Sequence, residues 1–327
     1  MATYKGIKGF EIQVLDDNPS PSAATEGQVW YSGGSLKGMA FSAGTGSWAS
    51  GGNMNTSRSL GFSFGTAATA AIMASGYDNT NVLNCESYNG TAWTEVNDTN
   101  SGYRESGGSF GTTAAGVKAG GRPPNSNTVA ELWDGTSWTT GNAMAVYQHD
   151  SGSGTGTQTA GLIYGGDPSY AVSQAFDGTN WSTEGSLNTG RAYIGRGGST
   201  GPTALCAAGG PAGVAIVESY DGSTWTEVNN INTARQSLCG NGPSSGGALI
   251  YGGTSPGDTY MDNVERYDGT SWTAQTALSA QRYGNGSASN APGTDTVTFG
   301  GYDGGFMNET EEWSQPTPIG VKTFTSS

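Results

Sequence analysis

The 327-residue chain contains 56 glycines and nine tryptophans and carries a formal net charge of −14. The glycine content disfavours long helices, the acidic balance disfavours nucleic-acid binding, and no apolar run approaches the about 18 residues that suggest a membrane span. Disorder is disfavoured too, because 10% of the residues are aromatic and such side chains bury large apolar areas. The composition therefore favours an all-β protein rich in turns.

The first 26 residues precede the repetitive part of the chain. Residues 4–15 can form an edge strand, and residues 16–25 have the composition of a Pro/Ser linker. The segment lacks the apolar core of a secretory signal, so none is expected. We predict that residues 1–26 form an N-terminal arm and linker, with these apolar side chains as the contacts of the arm: Tyr4, Ile7, Phe10, Ile12 and Val14.

A repeat with a period of about 44 residues fills most of the remaining chain, and this period is typical of propeller repeats. Five of the six copies end an apolar run with a double glycine, as at Gly252-Gly253, and the first has Ser75-Gly76 instead. An aromatic residue follows in all six, and in the first five it precedes an Asx-Gly pair and a tryptophan, as in 267–272. The Asx-Gly pair favours a tight hairpin, because both of its positions need a positive φ. The runs between these marks have strand length, so the repeat predicts one four-stranded propeller blade.

Six copies predict a six-bladed β-propeller within residues 27–327, with blades at 58–97, 104–141, 148–185, 191–228, 235–275 and 282–314. The tryptophan of each copy is expected to fill the space between neighbouring sheets: Trp93, Trp138, Trp181, Trp225 and Trp272. The sixth copy lacks this residue, whereas an unpaired Trp48 precedes the first copy. We therefore predict that residues 39–50 close the sixth blade, which removes an open edge. A seventh blade built from 28–41 and 321–324 is the alternative.

Ten of the 40 charged residues follow the repeat. An arginine opens five of the six copies (Arg58, Arg104, Arg191, Arg235 and Arg282), and a glutamate stands two residues before the aromatic position of the same five copies (Glu86, Glu131, Glu218, Glu265 and Glu311). The remaining copy has Gln148 and Gln174 instead. This joint exchange predicts that the two positions contact each other within a blade and that their charges stabilise the scaffold. A ring of arginines that binds an anionic ligand is the alternative.

The sequence offers little for catalysis or for a cofactor. Three cysteines (Cys85, Cys206 and Cys239) lie in apolar stretches and are expected to be buried free thiols. The single histidine, His149, cannot supply the ligand set of a copper oxidase or a convincing triad, so we expect no cofactor or metal and no catalytic residue. Loop carboxylates such as Asp167, Asp258 and Asp303 leave a glycoside hydrolase as an alternative, although turn residues are the simpler interpretation.

The connections between the second and third strands of the blades are the least repetitive segments, and loops on a rigid scaffold commonly carry recognition residues. Six of their side chains are predicted to bind a partner: Tyr170, Tyr260, Met261, Tyr302, Phe306 and Met307. The alternative is that some of these side chains only cover the edge of their own blade. The longest of these loops belong to the fifth and sixth blades, which are therefore the favoured contact surface.

The order of these marks, as in residues 252–282, resembles kelch repeats over residues 39–314. More narrowly, runs such as 220–235 resemble kelch-like virion proteins of marine tailed phages, especially cyanophages, and residues 27–37 are similar to a hairpin of phage fibre and virion proteins. The resemblance implies a structural or adhesive protein, located in the virion, with no catalytic residues to transfer. It leads us to expect that the N-terminal arm anchors the protein to the virion by strand addition.

The resulting functional expectation is a non-enzymatic virion protein, displayed through its arm, that binds the host surface as part of a tail or fibre. Its partners would be other virion proteins and a host glycan or protein, without nucleic acid or membrane insertion, and with multimers formed through the virion. Capsid decoration or a tail building block is one alternative. An enzyme acting on surface polysaccharide is the alternative from a different class.

Overall fold

The computed structural model describes residues 13–14, 29–39, 46–101, 107–122, 128–150, 153–168, 170–198, 203–244, 246–315 and 321–324. The chain divides into two compact units, one of residues 46–314 and one of residues 1–45 with 315–327. All regular structure in the described part is β-strand. In particular, the described residues contain no helix that is long and apolar enough to cross a membrane.

The larger unit is a six-bladed β-propeller, which confirms the predicted fold. From the innermost to the outermost strand, blade 1 consists of Phe62–Ala67, Ala70–Tyr77, Asn81–Tyr88 and Trp93–Val96, and blade 2 of Gly108–Thr112, Ala115–Ala119, Ala130–Trp133 and Trp138–Thr140. Blade 3 consists of Thr155–Thr157, Ala160–Tyr164, Ser173–Phe176 and Trp181–Thr183, and blade 4 of Gly195–Gly197, Ala204–Ala207, Val217–Tyr220 and Trp225–Val228. Blade 5 consists of Cys239–Asn241, Leu249–Tyr251, Val264–Tyr267 and Trp272–Ala274, and blade 6 of Gly286–Ser287, Asp295–Phe299, Thr310–Ser314 and Ser47–Ser50.

The closing strand comes from the N-terminal side, as the unpaired tryptophan predicts. Ser47–Ser50 pairs antiparallel with the third strand of blade 6 and sets Trp48 opposite Trp313. The two indole rings lie 5.2 Å apart, and Trp48 also contacts Tyr251 of blade 5 at 5.3 Å. The paired segment is shorter than the predicted 39–50, because the residues up to Met39 belong to a strand of the smaller unit.

The smaller unit is a four-stranded sheet of Gln13–Val14, Val29–Ser32, Ser35–Met39 and Val321–Phe324, in that order. The segments proposed for a seventh blade do pair, but they form this separate unit, so the propeller has six blades. The predicted domain boundary at residue 27 therefore needs correction, since the propeller unit begins at residue 46 and ends at 314. Of the predicted arm contacts, Val14 lies in the first strand, and four lie outside the described residues: Tyr4, Ile7, Phe10 and Ile12.

Aromatic side chains fill the space between adjacent blades. Trp93 packs on Tyr88 of its own blade at 5.0 Å and on Phe299 of blade 6 at 4.6 Å. Trp138, Trp225 and Trp272 are likewise buried, whereas Trp181 is half-buried. Small residues make room for these rings: a Cβ atom on Gly161 would lie 2.0 Å from the ring of Phe110 in the preceding blade. The repeat thus places glycines where an aromatic ring of the neighbouring blade occupies the volume that a side chain would take.

The predicted pairs of arginine and glutamate are confirmed in four blades. Nitrogen–oxygen distances are 2.9 Å for Arg58–Glu86, 2.5 Å for Arg191–Glu218, 2.9 Å for Arg235–Glu265 and 2.5 Å for Arg282–Glu311. In blade 3 the amide of Gln174 donates a hydrogen bond to Gln148 instead. Arg104 lies outside the described residues, and its expected partner Glu131 lies 3.8 Å from Lys118. All of these described pairs are buried, so their charges belong to the scaffold.

Candidate functional site

In the five blades whose openings the structure describes, three consecutive residues open the blade and occupy three different layers of the structure. The first is the buried arginine or glutamine. The second forms an isolated backbone bridge with a residue at the end of the second strand or three residues after it. We call the surface formed by these bridges and the adjoining loops the loop face. The third has a left-handed backbone. The described triplets are Arg58-Ser59-Leu60, Gln148-His149-Asp150, Arg191-Ala192-Tyr193, Arg235-Gln236-Ser237 and Arg282-Tyr283-Gly284.

The described third residues form a chain of backbone hydrogen bonds around the propeller axis, which we call the ring although its blade 2 member lies outside the described residues. The amide of Tyr193 donates to Asp150 at 2.6 Å, that of Ser237 to Tyr193 at 2.7 Å, that of Gly284 to Ser237 at 3.1 Å and that of Leu60 to Gly284 at 2.7 Å. Their φ angles, between 51° and 62°, turn each amide towards the preceding blade. Four of the five residues are not glycine, so this conformation costs free energy that the ring of hydrogen bonds offsets.

Side chains close the channel below this ring. Arg196, from the innermost strand of blade 4, donates to the carbonyl of Ser63 at 2.8 Å, to the hydroxyl of Ser287 at 3.0 Å and to the carbonyl of Ser109 at 3.0 Å. At another level, the amide of Asn290 reaches Gly156 at 2.7 Å. The cavity beside Arg196 measures about 30 Å³, which holds no more than a few waters. A sugar-sized ligand therefore does not fit into this cavity.

Five half-buried aromatic rings form a continuous aromatic row on the loop face: Tyr77, Phe306, Tyr302, Tyr283 and Tyr260. Successive ring centroids lie 5.7, 5.1, 5.7 and 5.6 Å apart in that order. The row spans blades 1, 6 and 5, and most of its neighbouring rings meet edge to face, a favoured geometry for aromatic pairs. It unites three predicted contact residues, Tyr260, Tyr302 and Phe306, with Tyr77 and Tyr283, which were not predicted.

The other predicted contact residues lie elsewhere. Met307 is only 6% exposed, so its prediction as a surface contact is wrong. Directly after Phe306 the backbone turns inward, where the amide of Met307 donates to Gly301 and its carbonyl accepts from Arg58. Met261 is half-buried beside the row. Tyr170 is 39% exposed and interacts with the carboxylate of Asp167 in blade 3, and burial, followed by that carboxylate, raises its pKa.

A second group of side chains occupies the loop face at blade 3, and we call His149, Asp150 and Asp167 the His149 cluster. Nδ1 of His149 lies 2.7 Å from Oδ2 of Asp150, and Nε2 lies 3.8 Å from Oδ2 of Asp167. Asp150 also accepts from the hydroxyl of Tyr193 at 2.9 Å and pairs with Arg122 at 3.2 Å. Two backbone hydrogen bonds of 2.9 and 2.8 Å join His149 to Asp167 and fix the spacing. Asp167 is therefore more than a turn residue.

The loop face around the aromatic row is acidic. Asp258, Asp262, Asp303 and Glu309 are exposed there. By contrast, six cationic side chains in the described part of the propeller are at most 2% exposed: Arg58, Lys118, Arg191, Arg196, Arg235 and Arg282. Burial lowers the pKa of Lys118 to about 8. Since these cations lie inside, the surface field near the row favours neutral or cationic ligands over anionic ones.

The folded domain thus belongs structurally to the β-propellers. Among solved structures, that of YjhT matches it with a TM-score of 0.61, covering 84% of this chain and 99% of the YjhT chain at 12% sequence identity. YjhT is also a propeller, and at this identity the likeness concerns the fold alone. No protein-family model and no curated protein sequence shows a significant match to the chain.

Proposed function

We propose that this protein is a non-catalytic binding propeller whose aromatic row contacts a partner outside the molecule, and that it serves as an adhesive component of a phage virion. The aromatic row is the observation that carries the proposal. Five rings contributed by three blades form one surface, although residues 77 and 306 are far apart in sequence. Tyrosine-rich surfaces commonly anchor interfaces, because the ring supplies apolar area and the hydroxyl a polar contact.

The position of the row on the scaffold favours recognition. Tyr283 and Tyr302 face each other across a backbone bridge, and Tyr302 forms a second bridge with Phe306. A surface held in this way loses little conformational entropy when it binds.

The acidic surroundings narrow the ligand class. Asp258, Asp262 and Asp303 would repel an anionic polysaccharide at low salt. We therefore expect a neutral glycan, or a protein surface that is neutral or basic, as the host-side partner. Capsid decoration or a tail building block remains the second proposal, in which the row contacts another virion protein.

The virion assignment rests on the sequence resemblance of residues 220–235 and 27–37. The smaller unit supports it by offering an apolar surface for attachment, since Val29 and Tyr31 are 36% and 42% exposed on one face of its sheet. Mass spectrometry of purified particles tests this part of the proposal directly. Absence of the chain from particles that package its gene would overturn the virion role while leaving the binding role to be judged separately.

Binding is tested with the full-length protein on intact host cells and on an array of neutral and anionic glycans. The Tyr302→Ala variant should lose about tenfold or more in affinity, as expected for an anchoring side chain. Leu83→Ala is the matched control, because Leu83 is 41% exposed on a strand of blade 1 outside the row. Equal binding by both variants would contradict the proposal. Release of shortened glycans during incubation would contradict its non-catalytic part.

A further inference from the structure

The His149 cluster has a geometry that neither the aromatic row nor the scaffold explains. At the equivalent bridge, the other described blades have Ser59–Tyr77, Ala192–Gly210, Gln236–Thr254 and Tyr283–Tyr302. Among the described bridges, a histidine therefore faces a carboxylate in blade 3 alone. It also contains the only histidine of the chain.

The hydrogen bond to Asp150 determines which histidine nitrogen is available. A carboxylate accepts but does not donate, so Nδ1 of His149 carries the hydrogen, and in the neutral imidazole Nε2 has the lone pair. His149 is 7% exposed, and in the described part of the chain its Nε2 has no partner within hydrogen-bond distance. This nitrogen thus faces the carboxylate of Asp167.

The gap between Nε2 and Asp167 suits a metal ion. The separation of 3.8 Å exceeds a hydrogen bond. It is slightly shorter than the sum of a metal–nitrogen and a metal–oxygen bond of about 2.0–2.2 Å each, so both atoms reach a common cation at an obtuse angle. The ligand atoms of His149, Asp150 and Asp167 all lie within 4.8 Å of one another.

Asp150 has the surroundings of a residue that orients a metal ligand. Histidines that bind metals commonly donate their second ring nitrogen to a carboxylate, which fixes the tautomer. Asp150 is 2% exposed and is held from two sides by Tyr193 and Arg122. The ring of Tyr147 lies 5.2 Å from the imidazole and limits its rotation.

We propose that the His149 cluster binds one divalent first-row transition-metal ion, with Nε2 of His149 and the carboxylate of Asp167 as protein ligands and water completing the coordination. Asp150 is the positioning residue. Mixed imidazole and carboxylate ligation suits Zn²⁺. This site goes beyond the proposed function and does not depend on it, because the aromatic row contributes no ligand.

Titration of the full-length protein with Zn²⁺ by calorimetry, at neutral pH and physiological salt, tests the site. We expect one ion per chain, a loss of at least tenfold in affinity for His149→Gln, and a loss of about 10–100-fold for Asp150→Asn. Asp303→Asn removes another loop-face carboxylate and should leave the affinity unchanged. Tyr302→Ala should also leave it unchanged, which separates this test from that of the proposed function.

The single histidine gives a second readout that needs no variant. In nitrogen-15 NMR spectra of the imidazole, Zn²⁺ should shift Nε2 strongly, while Nδ1 keeps the signal of a protonated nitrogen. An unchanged spectrum at saturating Zn²⁺, or zinc affinity that survives His149→Gln, would overturn the proposal and leave an ion pair of His149 with Asp167.

Discussion

Blades 3 and 6 open with the same backbone and different side chains. Gln148-His149-Asp150 and Arg282-Tyr283-Gly284 each place one residue inside the blade, one in a bridge on the loop face and one in the ring at the channel mouth. The bridge partners are Asp167 and Tyr302, respectively. Since backbone hydrogen bonds fix these positions, a changed pair alters the chemistry of the face without altering the fold.

Substitutions at the buried interior position should change the free energy of unfolding most, and by different amounts in the two blades. Glu311→Ala leaves the guanidinium of Arg282 buried without its carboxylate, and such a loss costs about 3–5 kcal/mol. Gln174→Ala removes the donor to the side-chain oxygen of Gln148, whose amide nitrogen still donates to the carbonyls of Gly165 and Val172. An unsatisfied neutral acceptor of this kind costs about 1–3 kcal/mol. Urea unfolding of both variants measures the difference.

Glu227→Ala serves as the control for this comparison, because Glu227 is exposed on the outermost strand of blade 4. It should change the free energy of unfolding by no more than about 0.5 kcal/mol. If Glu311→Ala were as mild as Gln174→Ala, the arginine pairs would not be the stronger interior contact.

The residue on the second strand that lies opposite this buried position differs between blades, and one such residue, a cysteine, should make the free energy of unfolding depend on pH. Ile163 lies opposite Gln174 in blade 3, whereas Cys206 lies opposite Glu218 in blade 4. Burial raises the pKa of the Cys206 thiol to about 12, so above pH 9 the unfolded state releases a proton that the folded state keeps. The free energy of unfolding then falls with rising pH, by up to about 1.4 kcal/mol per pH unit for one group.

Cys206→Ala should reduce this alkaline slope between pH 9 and 11, in addition to a constant loss of buried contacts. Urea unfolding at a series of pH values separates the two effects. Cys85, whose thiol pKa is also raised by burial to about 12, keeps part of the slope in the variant. An identical slope in wild type and Cys206→Ala would show that this thiol does not titrate differently in the two states.

The bridge pair of blade 6 on the loop face, Tyr283 and Tyr302, should be replaceable with a smaller loss in the free energy of unfolding. Tyr283→Gln with Tyr302→Thr imports the pair that blade 5 uses at the same bridge, Gln236–Thr254. The exchange removes four ring contacts: Tyr260–Tyr283, Tyr260–Tyr302, Tyr283–Tyr302 and Tyr302–Phe306. An aromatic pair contributes about 0.5–1.5 kcal/mol, and these rings are only half-buried, so the free energy of unfolding should fall by about 2 kcal/mol, the lower end of the sum. Circular dichroism should still show the native fold, while binding to the partner is lost.

The zinc affinity of the His149 cluster in this double variant shows whether the aromatic row and the cluster are independent sites on one scaffold or are coupled. If the exchange in blade 6 changed the zinc affinity of the His149 cluster, the two regions would be coupled through the ring at the channel mouth. We expect no change, since the ring consists of backbone hydrogen bonds that the exchange leaves intact.

These two layers explain what the sequence can predict. Interior positions repeat with the blade, so the joint exchange at Gln148 and Gln174 is enough to predict the contact of Arg282 with Glu311. Trp48 predicts how the propeller closes for the same reason. The sixth copy lacks the tryptophan that the repeat leads one to expect, and Trp48 is the unpaired tryptophan that can replace it. The smaller unit is not predicted correctly, because residues 27–45 and 315–327 lie outside the repeat.

The face can be predicted only in part. Tyr302 and Phe306 stand out as aromatics in a long loop, but Tyr77 joins them only through closure of the ring. His149 and Asp167 meet through a backbone bridge between loops. The bridge recurs in the other described blades, but the residue types at its two positions do not repeat, so the sequence does not reveal the contact. Arg196 carries one signal, a charged residue between two glycines of an innermost strand, which is the pattern of a side chain that crosses the axis.

The smallest effect is expected at the edge of the His149 cluster. The side chain of Arg122 is 42% exposed and lies 3.2 Å from Asp150, so solvent screens the pair and its loss should cost less than about 1 kcal/mol. Arg122→Met should therefore have nearly the urea midpoint of the wild type. Tyr193 still holds Asp150 against His149 in this variant, so zinc affinity should fall by less than it does in Asp150→Asn. A loss as large as that of Asp150→Asn would assign the orientation of Asp150 to Arg122 rather than to Tyr193.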